Sequence, residues 1–149
     1  MPIRRPTIAV ALLLALVPPG FVAAQPAASA SSLDRGRYMV VTGQCNNCHT
    51  AGYSASQGAL PETLWLLGDR KGRHEPEGTV YATNLRHFMS TLTLEQWLLV
   101  ARSSRARAPM PWWNLRATSD DDLAAMYAYI RSLQPVGEPA PEFQPGARP

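Results

Sequence analysis

The chain predicts a small all-α domain with long loops, on three observations. Three amphipathic segments carry helix-start residues at the correct offsets, no run alternates apolar and polar residues as a half-buried strand does, and no internal repeat is present. The segment 33–44 opens with Ser31 and Asp34 in an S-x-x-D spacing and places Leu33, Gly36 and Val40 on one face. Gly36 weakens a helix relative to alanine, a cost offset where a second helix approaches closely. The segment 93–102 carries Thr93 and Gln96 as a capping box and then Leu94, Trp97, Leu98 and Ala101 at helical spacing. The third helix starts at Ser119. Asp120, Asp121 and Asp122 occupy its first turn, and Leu123, Met126, Tyr127, Ile130 and Leu133 form one stripe before Pro135 ends it.

The 149 residues allow one domain flanked by non-globular segments. Residues 1–24 read as a secretory signal peptide. Arg4 and Arg5 precede an apolar run from Ile8 to Val17, and Val22, Ala23 and Ala24 supply a small-residue cleavage site. The run is about half the roughly 20 residues that a membrane-spanning helix needs. The expectation is export to the periplasm with no stable membrane span after cleavage. Residues 25–32 read as a flexible lead-in. Residues 33–136 form the folded domain, and 137–149 a proline-rich, extended and poorly packed tail. The 14 Lys and Arg against 11 Asp and Glu give no case for nucleic acid, because Arg4 and Arg5 belong to the leader.

A folded part of this size often needs a staple, and the two cysteines cannot form a disulfide framework because both lie in one short motif. Cys45-Asn46-Asn47-Cys48-His49 is C-x-x-C-H. Two thiols three residues apart can each add to a vinyl group of one haem, and the following histidine then lies beneath the iron. The expectation is one covalent haem c ligated by His49. A redox dithiol would require a βαβ context, and a zinc site a second pair of cysteines.

Electron transfer favours a filled sixth position on the iron. Met39, Met89, Met110 and Met126 are the methionine candidates after the leader, with His74 and His87 as further ones. Met110 stands between Pro109 and Pro111 in an inter-helix loop, which proline stiffens, and is the expected distal ligand. The predicted role is a carrier of single electrons with no catalytic residue of its own. A peroxidase or gas-binding protein with an open iron position, and a haem subunit docked permanently to a dehydrogenase, are the alternatives. Arg102, Arg105 and Arg107 lie close to Met110, where a basic rim would steer an acidic redox partner.

The order of a Gly36-bearing helix, the C-x-x-C-H motif, a Met110 loop and a last helix with aromatics resembles class I cytochromes c. The stretch Pro109-Met110-Pro111-Trp112, with Leu115-Arg116, Ser119, Asp122-Leu123 and Tyr129-Ile130-Arg131-Ser132-Leu133, is similar to haem subunits of periplasmic and membrane-associated dehydrogenases. Such a resemblance implies three or more helices wrapped around one haem. It implies a first and last helix crossing where Gly36 meets Tyr129 or Tyr127. It also implies that Gly78 to Leu85, through Tyr81 and Asn84, edges the cofactor, and that a periplasmic dehydrogenase or terminal oxidase is the redox partner. The segment 52–76 departs from that pattern.

Overall fold

The computed structural model describes residues 29–146. The expected leader, 1–24, lies outside the described residues, as do 25–28 of the lead-in, while its remaining residues, from Ser29, cap and begin the first helix rather than forming a flexible stretch. The chain runs α1 (Ala30–Thr42), α2 (Cys45–His49), a short 3₁₀ turn (Glu62–Leu64), β1 (Asp69–Glu75), β2 (Gly78–Ala82), α3 (Leu85–Ser90), α4 (Leu94–Ser103), α5 (Trp112–Ala117), α6 (Asp120–Ser132) and β3 (Gln144–Pro145).

The expected all-α class is therefore wrong. A three-stranded antiparallel sheet in the order β1-β2-β3 makes the fold a mixed one. Strand β1 pairs with β2 from Asp69↔Ala82 to Glu75↔Gly78, with an irregularity between Asp69 and Arg73. Strand β2 pairs with β3 at Gly78↔Pro145 and Thr79↔Gln144. Strand β1 is polar and β2 is short and partly buried along its length, so neither shows the clean apolar alternation that announces a strand. The described part of the tail is extended and mostly exposed, yet it is tied to the sheet. Its Gln144 and Pro145 form the third strand, and the Gly146 N–H donates to the Glu77 carbonyl at 2.9 Å.

The three long helices obey their local signals, with one shift at a start. Ser29, not Ser31, caps α1, accepting from the Ser32 N–H. Thr93 and Gln96 form the reciprocal capping box of α4. Ser119 caps α6 by accepting from the Asp122 N–H. Helices α1 and α6 make the main helix pair. They touch at Gly36, where a Cβ would overlap the Ala125 carbonyl oxygen and lie 2.6 Å from the Tyr129 Cβ. Between the two tyrosines the crossing thus selects Tyr129. Tyr127 instead donates its hydroxyl to the Leu92 carbonyl at 2.8 Å. Val40, Trp65, Leu66, Met89, Trp97, Leu123, Met126, Tyr129 and Ile130 form the core, which joins these helices to α3, α4 and the 3₁₀ turn.

Arg86 on α3 holds this core together from inside. Its side chain is buried, and it donates to three backbone carbonyls: Trp65 at 2.8 Å, Leu133 at 3.0 Å and Glu62 at 2.6 Å. A buried charge is tolerated only when its donors are used, and here one guanidinium ties the 3₁₀ turn and its cap to the end of α6. Burial lowers its pKa from the usual arginine value. No helix among the described residues is long and apolar enough to cross a membrane.

Candidate functional site

Helix α2 follows α1 after a sharp turn at Gly43 and Gln44, where Gln44 takes a left-handed conformation with φ 60°. Positions three and four apart share a face of a helix, so Cys45 lies beside Cys48 and His49. Tertiary hydrogen bonds fix this short helix. The Gly68 N–H donates to the His49 carbonyl at 2.8 Å. Thr50 donates its hydroxyl to the buried Asn46 Oδ1 and accepts from the Leu66 N–H, each at 2.7 Å. The Leu85 N–H in turn donates to the Leu66 carbonyl at 2.9 Å, which ties the same segment to the start of α3.

The His49 side chain is buried, and its Nδ1 lies 2.7 Å from the Thr83 carbonyl oxygen. A carbonyl can only accept, so Nδ1 carries the proton and Nε2 presents its lone pair. Burial pushes the His49 pKa down, so the ring is neutral at physiological pH. A neutral imidazole oriented through its far nitrogen is the form that binds a metal ion.

A cleft of about 250 Å³ opens against this histidine. Cys48 and His49 line one side, the sheet residues Arg73, Val80, Tyr81 and Ala82 with Thr83 another, and the loop residues Ala106, Arg107, Pro109 and Met110 the third. Met110 is thus the methionine that shares a cleft with His49. Met89 and Met126 are buried in the hydrophobic core, and Met39 packs against it. His74 is exposed on β1, facing the Thr79 hydroxyl at 3.0 Å. His87 donates from Nε2 to the Gly137 carbonyl at 2.6 Å. Neither histidine lines the cleft.

Met110 sits in two consecutive turns. Its N–H donates to the Arg107 carbonyl at 3.2 Å, and its own carbonyl accepts from the Trp112 N–H at 2.9 Å. The second is an inverse γ-turn centred on Pro111, at φ −80° and ψ 65°, from which α5 starts. Arg116 and Arg105 lie over the Trp112 ring at 4.7 and 5.7 Å, and Arg102 donates to the Leu115 and Arg116 carbonyls.

Of the other expected cofactor residues, Tyr81 lines the cleft and Asn84 does not. Asn84 is buried, caps α3 through the His87 N–H, and donates to the carbonyls of Val136 and Glu138. Its work is structural. Cys45 packs against the hydrophobic core rather than lining the cleft, and burial pushes its thiol up to about 11. A dithiol oxidoreductase needs a thiolate nucleophile, and a raised thiol pKa argues against that chemistry here.

The cleft fits a haem in its donor set and its walls. It has a neutral, pre-oriented histidine nitrogen, a thioether sulfur in the opposing loop, and paired cysteines on the histidine's own helix. Two arginines, Arg73 and Arg107, sit at its edge. Its volume is below the roughly 300–1,000 Å³ of a preformed small-molecule pocket. Among the described residues no group of three or more His, Cys, Asp or Glu could hold a metal ion, so the donors differ from those of a structural zinc site. The sequence places Thr83 within the segment expected to edge the cofactor but does not single it out, nor does it single out Arg73 or Arg86. The first acts through its backbone carbonyl, which carries no sequence signal. The other two read as surface charge until the fold places them.

No family model matches the chain, and no solved structure matches it. Two curated proteins are similar to it. The fructose dehydrogenase cytochrome subunit of Gluconobacter japonicus is 28% identical over 158 residues, covering 94% of this chain and 31% of that protein. A nicotinate dehydrogenase subunit of Pseudomonas putida is 32% identical over 128 residues, covering 78% of this chain and 10% of that protein. The chain spans about a third of the first relative's length and about a tenth of the second's. Both are dehydrogenase subunits, and the first is named a cytochrome subunit.

Proposed function

We propose that this chain is a monohaem c-type cytochrome that serves as the electron-transfer subunit of a dehydrogenase, acting after export to the periplasm. The observation that carries the reading is the shared cleft of Cys48, His49 and Met110, with His49 oriented by the Thr83 carbonyl. A haem held there supplies one-electron chemistry, its iron alternating between ferric and ferrous. Cys45 and Cys48 would hold it by thioether bonds, and His49 Nε2 and the Met110 sulfur would ligate its iron. Val80, Tyr81, Ala82 and Pro109 supply apolar surface to its walls. Arg73 and Arg107 are placed to neutralise its carboxylate groups.

The two relatives support a subunit associated with a dehydrogenase over a freely diffusing carrier, since both are named as dehydrogenase subunits. A peroxidase would need an acid–base side chain beside an open iron position. Besides the cysteine and the axial histidine, the titratable residues at the cleft are Arg73, Tyr81 and Arg107, none of them a carboxylate or a second histidine, which disfavours that alternative. Intact mass of the protein made in cells able to mature c-type cytochromes tests the reading. The expected mass is that of the polypeptide plus one haem, resistant to acid and organic extraction. Cys45→Ala with Cys48→Ala should carry none and fail to fold. A haem-free mass for the unsubstituted protein would overturn the assignment.

A further inference from the structure

We propose that the C-terminal segment 136–146 is a strap that positions both walls of the cleft, with Phe143 as the positioning residue for the Met110 loop. The inference rests on the haem reading only for what the loop ligates.

The strap leaves the end of α6 and crosses the molecule in three steps. At its start, Asn84 donates from Nδ2 to the Val136 carbonyl at 2.9 Å and the Glu138 carbonyl at 3.2 Å, and His87 donates to the Gly137 carbonyl. Asn84 follows Thr83, whose carbonyl orients His49, so these bonds fix the peptide that sets the imidazole. In the middle, Arg70 of β1 donates to the Pro139 carbonyl at 3.3 Å. At the end, Gln144 and Pro145 pair with β2, and Gly146 bonds to Glu77.

Phe143 stands just before this strand. The Arg107 guanidinium lies 4.0 Å from the centroid of its ring, a cation–π contact. Arg107 belongs to the cleft and to the turn that holds the Met110 N–H, whereas Phe143 does not line the cleft. The ring therefore reaches the loop through Arg107. The approach of strap to sheet is close. Gly78 has φ +144°, and a Cβ there would overlap the Gln144 carbonyl oxygen and lie 2.9 Å from the Phe143 ring edge. A bare backbone at position 78 is what lets the strap seat.

The test compares the unchanged protein with Phe143→Ala, Phe143→Tyr and a chain ending at Val136. Two readouts apply: hydrogen exchange of the Met110 and Trp112 amides, and the rate at which cyanide displaces the distal ligand of the ferric holoprotein. Loss of a surface cation–π contact corresponds to about a two- to fivefold rise in loop opening. Phe143→Ala should raise both readouts by that factor, and Phe143→Tyr, which keeps the ring, should restore both. The shortened chain should raise them further and also speed exchange across residues 83–87. Unchanged loop exchange in Phe143→Ala, or equal effects of alanine and tyrosine, would overturn the strap. If the protein carries no haem, the haem reading fails by mass while loop exchange still decides the strap. If the shortened chain fails to fold, the two single variants still decide it.

Discussion

The two walls that bring His49 and Met110 to one cleft are built on different plans. The His49 wall is over-determined. Backbone and side-chain hydrogen bonds from residues 66, 68 and 83 converge on α2 and its flanks, and most of the groups involved are buried. The Met110 wall is a loop with exposed Arg105, Arg107 and Pro109, held by two local turns and by arginines stacked on Trp112 and Phe143. The lesson is a division of labour. A covalent attachment point and a nitrogen ligand gain from rigidity, because a fixed ring loses no entropy on binding. The Met110 wall is held by fewer contacts, most of them exposed. Stability should therefore concentrate on the first wall and adjustability on the second.

The largest break in this contrast should come from Gly36, which sets how closely α1, and with it α2, sits on α6. Gly36→Val inserts atoms where the Ala125 carbonyl and Tyr129 Cβ already fill the space. Overpacking of this kind should cost about 3 kcal/mol, read as a lowered denaturant midpoint of the holoprotein. A midpoint within error of the unsubstituted value would show that the two helices separate without loss. Arg86→Met is the next largest. It removes the donor to three carbonyls that cannot all reach water, and should cost about 2 kcal/mol. Calorimetric unfolding checks it, and no change in melting temperature would demote Arg86 to an ordinary surface charge.

The same contrast explains what the sequence discloses. Helices α1, α4 and α6 are legible because caps and 3.6-residue periodicity are local, and the C-x-x-C-H motif is legible because its chemistry fixes its spacing. The sheet is not legible. Strand β1, Asp-Arg-Lys-Gly-Arg-His-Glu, is polar throughout, and it becomes a strand by pairing with β2. Strand β3 is a two-residue piece of a proline-rich tail, created by a contact some sixty positions away in sequence. Asn84 appeared in a segment expected to edge the cofactor, yet its amide serves the strap. The neighbouring Thr83 acts through an atom that every residue possesses. Met110 could be singled out because two prolines mark a stiff loop, whereas the burial of Met89 and Met126 required the fold.

Substitution on the adjustable wall should leave the fold and change the chemistry. Met110 is half-buried and touches the cleft rather than the core. Met110→Ala should cost about 1 kcal/mol or less of stability. It should abolish the weak far-red sulfur-to-iron band of the oxidised holoprotein and let carbon monoxide bind the reduced form. A band that survives the substitution would assign the distal position to another residue. A loss of stability as large as that of Gly36→Val would erase the distinction between the walls.

The smallest effect on stability, and the one most tied to partner recognition, concerns the charges around the cleft. Arg102 no longer belongs with them. It pairs with Asp120 and donates to the carbonyls of Leu115 and Arg116, so its charge is committed to joining α4 to α5. Arg73 and Arg105 are exposed, one on the sheet and one on the loop, and Arg107 is held against Phe143. A basic rim on two sides of the cleft would attract an acidic surface to the place where electrons leave. Exposed charges of this kind alter association rates far more than they alter stability. Arg105→Glu, outside the cleft lining, should therefore leave the melting temperature and the spectrum unchanged. It should lower the second-order rate of electron transfer from a partner dehydrogenase about tenfold at low ionic strength. The difference should fade as salt rises, because screening over about 10 Å at 0.1 M removes the steering. A rate unaffected by the Arg105→Glu substitution at any ionic strength would show that the partner approaches elsewhere, or that it is held permanently and needs no steering at all.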